Sequence, residues 1–191
     1  MRLEVLRGEA LHARLDDVAR LRCAVFREWP YLYDGDPDYE RRYLSALAAG
    51  EGVCVAAFDA DAMVGAATAM PLTGEHAAFA EPFEAAGHDV GEWFYLAESV
   101  LLPAFRGRGV GVRFFEERER AGRERGFERF CFCAVERPVD HPARPEGYVA
   151  LDGFWRRRGY RPMEGVTASF DWREIGAAEE TPHAMQFWER A

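Results

Sequence analysis

At 191 residues, with 49% hydrophobic and 14% aromatic side chains, the chain can bury a proper core, and general disorder is excluded. A formal net charge of −9 and a pI near 5.1 argue against nucleic acid or an anionic membrane as main partner, because a phosphate backbone is held by clustered Lys and Arg. The four cysteines, Cys23, Cys54, Cys131 and Cys133, sit in apolar runs without C-x-x-C spacing, which predicts buried free thiols in a reducing compartment rather than a metal site or disulfides.

The amino-terminal MRLEVLRGEA has no long apolar run, and no window approaches the ~20 apolar residues of a membrane helix; a soluble, cytoplasmic chain forming one domain over 1–191 is expected. Residues 2–7 read as a strand. Leu11, Leu15, Val18, Leu21 and Val25 then recur at helical spacing and predict one amphipathic helix. The stretch from Trp29 to Gly35 breaks it, and Asp36 can cap a second helix with Pro37 at its first position, Tyr39, Tyr43 and Leu47 facing inward, and Gly50 as its stop. Residues 53–58 and 63–70 are apolar runs joined by a short acidic turn, the pattern of a β-hairpin. Residues 75–86 can hold a short helix with Phe79 and Phe83 on one face, which Pro82 would kink or split.

Residues 94–102, FYLAESVLL, read as a central strand that Pro103 ends. Behind it, Arg106-Gly107-Arg108-Gly109-Val110-Gly111 places three glycines at alternate positions before a helix-like run. Consecutive N–H groups can converge there without obstruction, and the helix dipole favours a phosphate or pyrophosphate. The dinucleotide pattern G-x-G-x-x-G does not fit, nor is there a G-K-S/T. Residues 112–125 continue as a charged helix, with Glu116 four before Arg120 and Glu119 four before Arg123. Residues 129–135 alternate Phe130, Phe132 and Ala134 with Cys131, Cys133 and Val135, which predicts a strand buried on both faces. Residues 137–147 carry three prolines and form a loop; 151–158 read as a helix stopped by Gly159, and 167–172 as a strand. The tail from Met185 to Trp188 adds a last strand or lies across the core, and its Phe187 and Trp188 would either close the protein's own core or cover a partner in a homodimer.

The pattern Q/R-x-x-G-x-G/A, met by Arg106, Gly109 and Gly111 after a strand ending in Val100-Leu101-Leu102-Pro103, resembles that of the GNAT superfamily of acetyl-CoA-dependent N-acetyltransferases. The run from Leu151 to Tyr160 resembles the same family's second helical motif. The resemblance implies a mixed α/β (α+β) sheet of six to seven strands flanked by about four helices, with a splayed central strand pair around the pantetheine. It implies acetyl-CoA as cosubstrate, held by backbone groups of Ser99, Val100 and Leu101 and by the turn Arg106, Gly107, Arg108, Gly109, Val110, Gly111 and Val112, with no metal.

Acetyl transfer to an amine requires the amine neutral, the carbonyl polarised and the leaving thiolate protonated. Glu98, a lone carboxylate in an apolar strand, is the candidate base; its bland alternative is a solvated or arginine-paired residue. His141 is the next candidate, ahead of Glu92, Asp140 and Glu146. The family's usual acid is a tyrosine at the position held here by Trp155, whose indole cannot deliver a proton, so Tyr148, Tyr160 or water is left for that role. Tyr31, Tyr33, Asp34 and Asp36 would suit a cationic acceptor, or simply cap and pack; Arg137, His141 and Arg144 would suit an acidic one. The expected function is N-acetylation of a small-molecule or peptide amine in a ternary complex. The alternatives are a turnover-free acyl-CoA-binding module and a cradle for another nucleotide.

Overall fold

The computed structural model describes residues 1–75 and 77–191. In chain order the elements are β1 (Arg2–Arg7), α1 (Gly8–His12), α2 (Leu15–Phe26), α3 (Pro37–Ala49), β2 (Val53–Asp59), β3 (Ala62–Pro71), α4 (Ala77–Ala85), β4 (Trp93–Tyr95), β5 (Ser99–Leu101), α5 (Val110–Arg123), β6 (Arg129–Val135), α6 (Asp152–Arg157), β7 (Arg161–Arg173) and β8 (Glu180–Arg190). The strands form one mixed sheet in the order β1-β2-β3-β4-β6-β8-β7, with β5 also on β3. Only β4 and β6 run parallel; the other pairs are antiparallel.

The first helix is two. Leu11, Leu15, Val18 and Leu21 are buried as their spacing predicts, but the chain turns at Ala13–Arg14 and restarts at Leu15. Asp16 and Asp17 in the new first turn complement the helix dipole there. The Asp36 carboxylate caps α3 as expected, accepting from the N–H groups of Asp38 at 2.8 Å and Tyr39 at 3.4 Å. The inward face is rotated relative to the sequence reading: Tyr39 is 41% exposed, and Glu40 is fully buried with Leu44, Leu47 and Ala48. An arginine from α2 draws Glu40 inward, as described below. α4 continues through Pro82 and buries Phe79 and Phe83.

The C-terminal part holds two long strands, and the tail takes the first of its two expected forms, a last strand, though a longer one than the sequence marks. β8 inserts between β6 and β7, burying Phe187 and Trp188 in the protein's own core, so these side chains are not available to a homodimer partner. Burial of apolar area on both sheet faces explains why this segment is a strand rather than a tail. On α5 the expected Glu116–Arg120 pair does not form; Arg120 instead pairs with Glu117 at 2.5 Å and Glu124 at 2.7 Å, whereas Glu119–Arg123 forms at 3.1 Å. Glu119 is buried because it also takes the Tyr160 hydroxyl at 3.0 Å and Arg190, at 2.8 and 2.9 Å, tying α5 to the last strand.

Three cysteines are buried, Cys23 is half-buried, and all four are free. Burial pushes the Cys54 and Cys133 thiols up to about 12. At pH 8 their thiolate fraction is then about 10³-fold below that of an ordinary thiol, so a disulfide reagent should label the native protein first at Cys23, with the buried thiols reacting only on unfolding.

The central strand is interrupted. Thr68 of β3 faces Glu98, whereas Met70 faces Tyr95, so two steps along β3 match three along the partner strand and one extra residue is accommodated. This is a β-bulge over Leu96–Glu98. It brings Tyr95 and Glu98, three residues apart, to the same α2/α3 side of the sheet, where an unbulged strand would oppose them. The Leu96 N–H donates to Cys131 O at 2.8 Å as the last link between this strand and β6. Beyond it β5 stays with β3 and β6 pairs with β8, so the sheet opens.

Candidate active site

Along β5 the hydrogen-bonded pairs with β3 are Thr68/Glu98, Ala66/Val100 and Val64/Leu102, marked by Thr68 N–H to Glu98 O and Leu102 N–H to Val64 O, both 3.0 Å. By antiparallel alternation Ser99 and Leu101 turn their backbone groups the other way, into the opening left by β6. Val100 is the exception among the three expected cofactor contacts: its backbone groups belong to the β3 ladder and its side chain is buried in the core.

The opening leads to the glycine turn. Gly107 and Gly109 have φ of +74° and +77°, and a Cβ built on either meets nothing within 4 Å, so the space above the turn is free and the backbone needs glycine there. Gly109 O accepts from the N–H groups of Val112 and Arg113, at 3.1 and 3.3 Å, leaving those of Val110 and Gly111 as the outward donors of the first turn of α5. That turn contains no acidic residue. Arg106 curls the turn beneath the strand end by donating Nε to Leu101 O at 2.9 Å, and reaches Glu28 with Nη1 at 2.8 Å. Arg108 donates to Ala104 O at 2.9 Å and lies over the Phe105 ring. A pyrophosphate fits this set of donors and cations, and an extended amide chain fits the strand groups beside it.

Glu98 is 6% exposed. Its Oε2 pairs with Arg22 Nη1 of α2 at 2.7 Å, and Arg22 Nε also binds Glu40 of α3. Both glutamates hold the Arg22 guanidinium, whose pKa they push upward against the opposing pull of burial, and the Phe26 and Tyr43 rings sandwich it at 5.0 and 4.7 Å. Glu98 Oε1 is buried and takes no hydrogen bond from the described residues, which leaves one carboxylate oxygen for a partner from outside.

The Tyr31 phenol is close enough to Glu98 to feel its charge. Burial pushes its pKa up, and Cys133, Glu98 and Tyr148 push the same way while Arg22 opposes them. Tyr148 is likewise raised by burial and remains a protonated phenol. Trp29 joins the same corner, with the His141 ring at 5.0 Å and Tyr148 edge-on at 6.0 Å. His141 Nδ1 accepts the Ala143 N–H at 3.1 Å, which fixes that ring nitrogen as an acceptor and holds the ring in the loop. Tyr31 thus feels the charges of both Glu98 and Tyr148, and Trp29 packs against Tyr148 and His141.

Other sequence candidates go elsewhere. Asp34 is held by Arg27 at 3.1 Å and Arg173 at 2.9 Å, which locks its loop to β7 rather than offering a carboxylate. Asp36 is spent on the helix cap. Tyr33 sits against Glu40 and pairs with Glu174 in an isolated bridge, a packing position behind Tyr31. Arg137 donates to Pro30 O at 2.7 Å and Tyr31 O at 2.9 Å and pairs with Glu174 at 2.5 Å, so it shapes the loop and is not available to an acidic acceptor. Arg144 lies over Tyr148. Trp155 packs between Phe132 and Trp188, each at 5.0 Å, and the Tyr160 hydroxyl donates a hydrogen bond to Glu119 on the opposite side of the sheet. Glu92 pairs with Arg129 at 3.0 Å.

Sequence reasoning missed Arg22, Glu40 and Arg118. Each is a charge on the apolar stripe of an amphipathic helix: Arg22 between Val18 and Val25, Glu40 four before Leu44, Arg118 four after Phe114. A charge at such a position is the signal that was available.

A sheet that opens at a bulge, with strand groups facing the gap and a glycine turn at its end, forms a cleft suited to an extended, phosphate-bearing ligand. The family model described as acetyltransferase (GNAT) family matches residues 18–160, and the chain belongs to that family. No curated protein sequence matches the chain. Similar solved structures include a ribosomal-protein-alanine N-acetyltransferase from Brucella melitensis, at TM-score 0.65 and 14% identity over 100% of this chain and 99% of that one. An aminoglycoside 6'-N-acetyltransferase complexed with coenzyme A superposes at TM-score 0.62 and 15% identity, over 100% and 96%. A polyamine N-acetyltransferase of Drosophila melanogaster, which forms N-acetylagmatine, follows at TM-score 0.59 and 14% identity, over 99% of each chain.

Proposed function

We propose that the protein transfers the acetyl group of acetyl-CoA to a primary amine of a small molecule or peptide, by direct attack in a ternary complex. The observation that carries this reading is the opening of the sheet at the bulge, where the Ser99 and Leu101 backbone groups face a gap that ends on the free N–H groups of Val110 and Gly111. Acetyl-CoA supplies the thioester. The turn Arg106–Val112 holds its pyrophosphate, and Ser99 and Leu101 hold the pantetheine in the manner of a strand partner.

Glu98 Oε1 accepts the proton of the acceptor ammonium, directly or through a water, while Arg22 fixes the other oxygen. Tyr31 and Tyr148 present aromatic faces to a cationic amine. Tyr148, kept protonated by burial, is the donor for the departing thiolate; Trp155 cannot take that role from its packed position. The packed Trp155 also carries the second reading, an acyl-CoA-binding module without turnover. His141 is the reserve base.

Acetyl-CoA at about a hundred times its Kd should stabilise the fold by about 2.7 kcal/mol, a Tm rise of roughly 5–10 °C, which ATP and NAD should not reproduce. Thiol release with a panel of amines then separates the enzyme from the binding module. The chain contains no lysine, so self-acetylation is confined to its N-terminal amine and the background is low. A full thermal shift with no thiol release from any amine would select the binding module.

A further inference from the structure

Arg118 of α5 is 1% exposed, and among the described residues no carboxylate lies within ion-pair distance of it. Burying an arginine without a counter-ion is costly, and burial pulls its pKa down accordingly. Its hydrogen bonds show where that cost is recovered. Nε donates to Phe114 O at 3.1 Å and fixes the side chain to its own helix. Nη1 donates to Thr68 O and to Glu98 O, both at 3.1 Å, and Nη2 to Ser99 Oγ at 2.8 Å.

These three acceptors sit at the junction where β5 leaves the bulge. A complete antiparallel pair at Thr68/Glu98 would return a bond from the Glu98 N–H to Thr68 O. Only the outgoing bond, Thr68 N–H to Glu98 O, is made, and Thr68 O takes the guanidinium instead. One rigid fork therefore replaces a strand partner, ends the ladder one bond early and clamps both sides of the extra residue. Without it, a strand pressed against β3 gains a hydrogen bond by shifting back into register, and such a slip would turn Glu98 and Ser99 to opposite faces.

We infer that Arg118 is a positioning residue for acetyl transfer: it staples the bulge, so that Ser99 faces the cosubstrate and Glu98 faces the acceptor. The inference rests on the acetyltransferase reading and adds to it a residue that touches neither substrate. Misplacement of reacting groups by about 1 Å costs on the order of 10² in rate. Arg118→Met, which keeps the length and loses the donors, should therefore lower kcat about a hundredfold while the Kd for CoA, set largely by the glycine turn, stays within about threefold. Arg118→Lys, with a single charged group in place of the fork, should recover about tenfold of that loss.

Amide hydrogen exchange supplies the readout that a merely structural arginine would not move. In the wild-type protein CoA should slow exchange at Ser99, Leu101, Val110 and Gly111. In Arg118→Met the protection at Val110 and Gly111 should persist and that at Ser99 and Leu101 should be lost. A folded Arg118→Met with wild-type kcat and wild-type protection at Ser99 overturns the inference. Should Arg118→Met not fold, Arg118→Lys carries the same comparison, with a tenfold drop in kcat expected and an unchanged kcat overturning it. Failure of the acetyltransferase reading looks different: wild-type protein would then show no CoA protection at Val110 and Gly111, and the inference would fall with it.

Discussion

Gly109→Glu should fold, melt a few degrees below the wild type, and show no thermal shift with acetyl-CoA. The fold cost follows from backbone conformation. Gly109 caps α5 at φ +77°, a region that costs an L-residue about 1–2 kcal/mol, or roughly 2–8 °C in a chain of this size. The ligand effect follows from space and charge. A Cβ here meets nothing within 4 Å, so the new side chain is not forced into the core; it projects into the volume that a pyrophosphate must enter to reach the Val110 and Gly111 N–H groups. Gly109→Asn separates the two effects, because asparagine tolerates the left-handed region and adds no charge. It should retain part of the shift. A folded Gly109→Glu protein that acetyl-CoA stabilises as strongly as the wild type would remove the cradle from its assigned role.

The glycine turn was legible in the sequence because its physics is local. Alternating glycines before a helical run favour convergent donors, and Gly107 and Gly109 adopt the positive φ that glycine takes without strain. The hairpin, the capped α3 and the doubly buried β6 were legible for the same reason: turn residues, caps and alternation act over a few positions. Two kinds of feature were not. The split of the first helix and the pairing of β8 between β6 and β7 depend on which distant segment covers which face, and periodicity carries no such information. The bulge is the sharper case. Residues 94–102 have the composition of an unbroken strand, and the arginine that bonds the carbonyl of Glu98 at the extra residue lies twenty positions further along the chain. The surroundings of Glu98 were hidden likewise. Its isolation in an apolar run drew attention to it, but Arg22 and Glu40, which decide how its carboxylate is held, lie on two helices that fold over it from far upstream.

Glu98→Gln should keep the affinity for acetyl-CoA and lose about 10²–10⁴ in kcat/KM at pH 7. The substitution preserves shape and a hydrogen-bonding oxygen, and Arg22 remains neutralised by Glu40, so the buried cation is not orphaned and the fold should persist. What disappears is the carboxylate proposed to take a proton from the attacking amine. A lysine-like amine has a pKa of about 10.4 and at neutral pH is almost wholly protonated, so an enzyme without its base must wait for the rare free amine. The variant's rate should therefore rise about tenfold per pH unit until the amine has titrated, recovering much of the loss near pH 10, whereas the wild type rises less steeply from a higher start. Melting curves taken alongside distinguish this from damage to the fold: an ion-pair defect lowers Tm at every pH and leaves kcat of the folded fraction intact. If the variant matches the wild-type rate from pH 6 to 10 with its best amine, Glu98 serves only to balance Arg22, and His141, five ångströms from the Trp29 ring at the outer edge of the same corner, becomes the base to test.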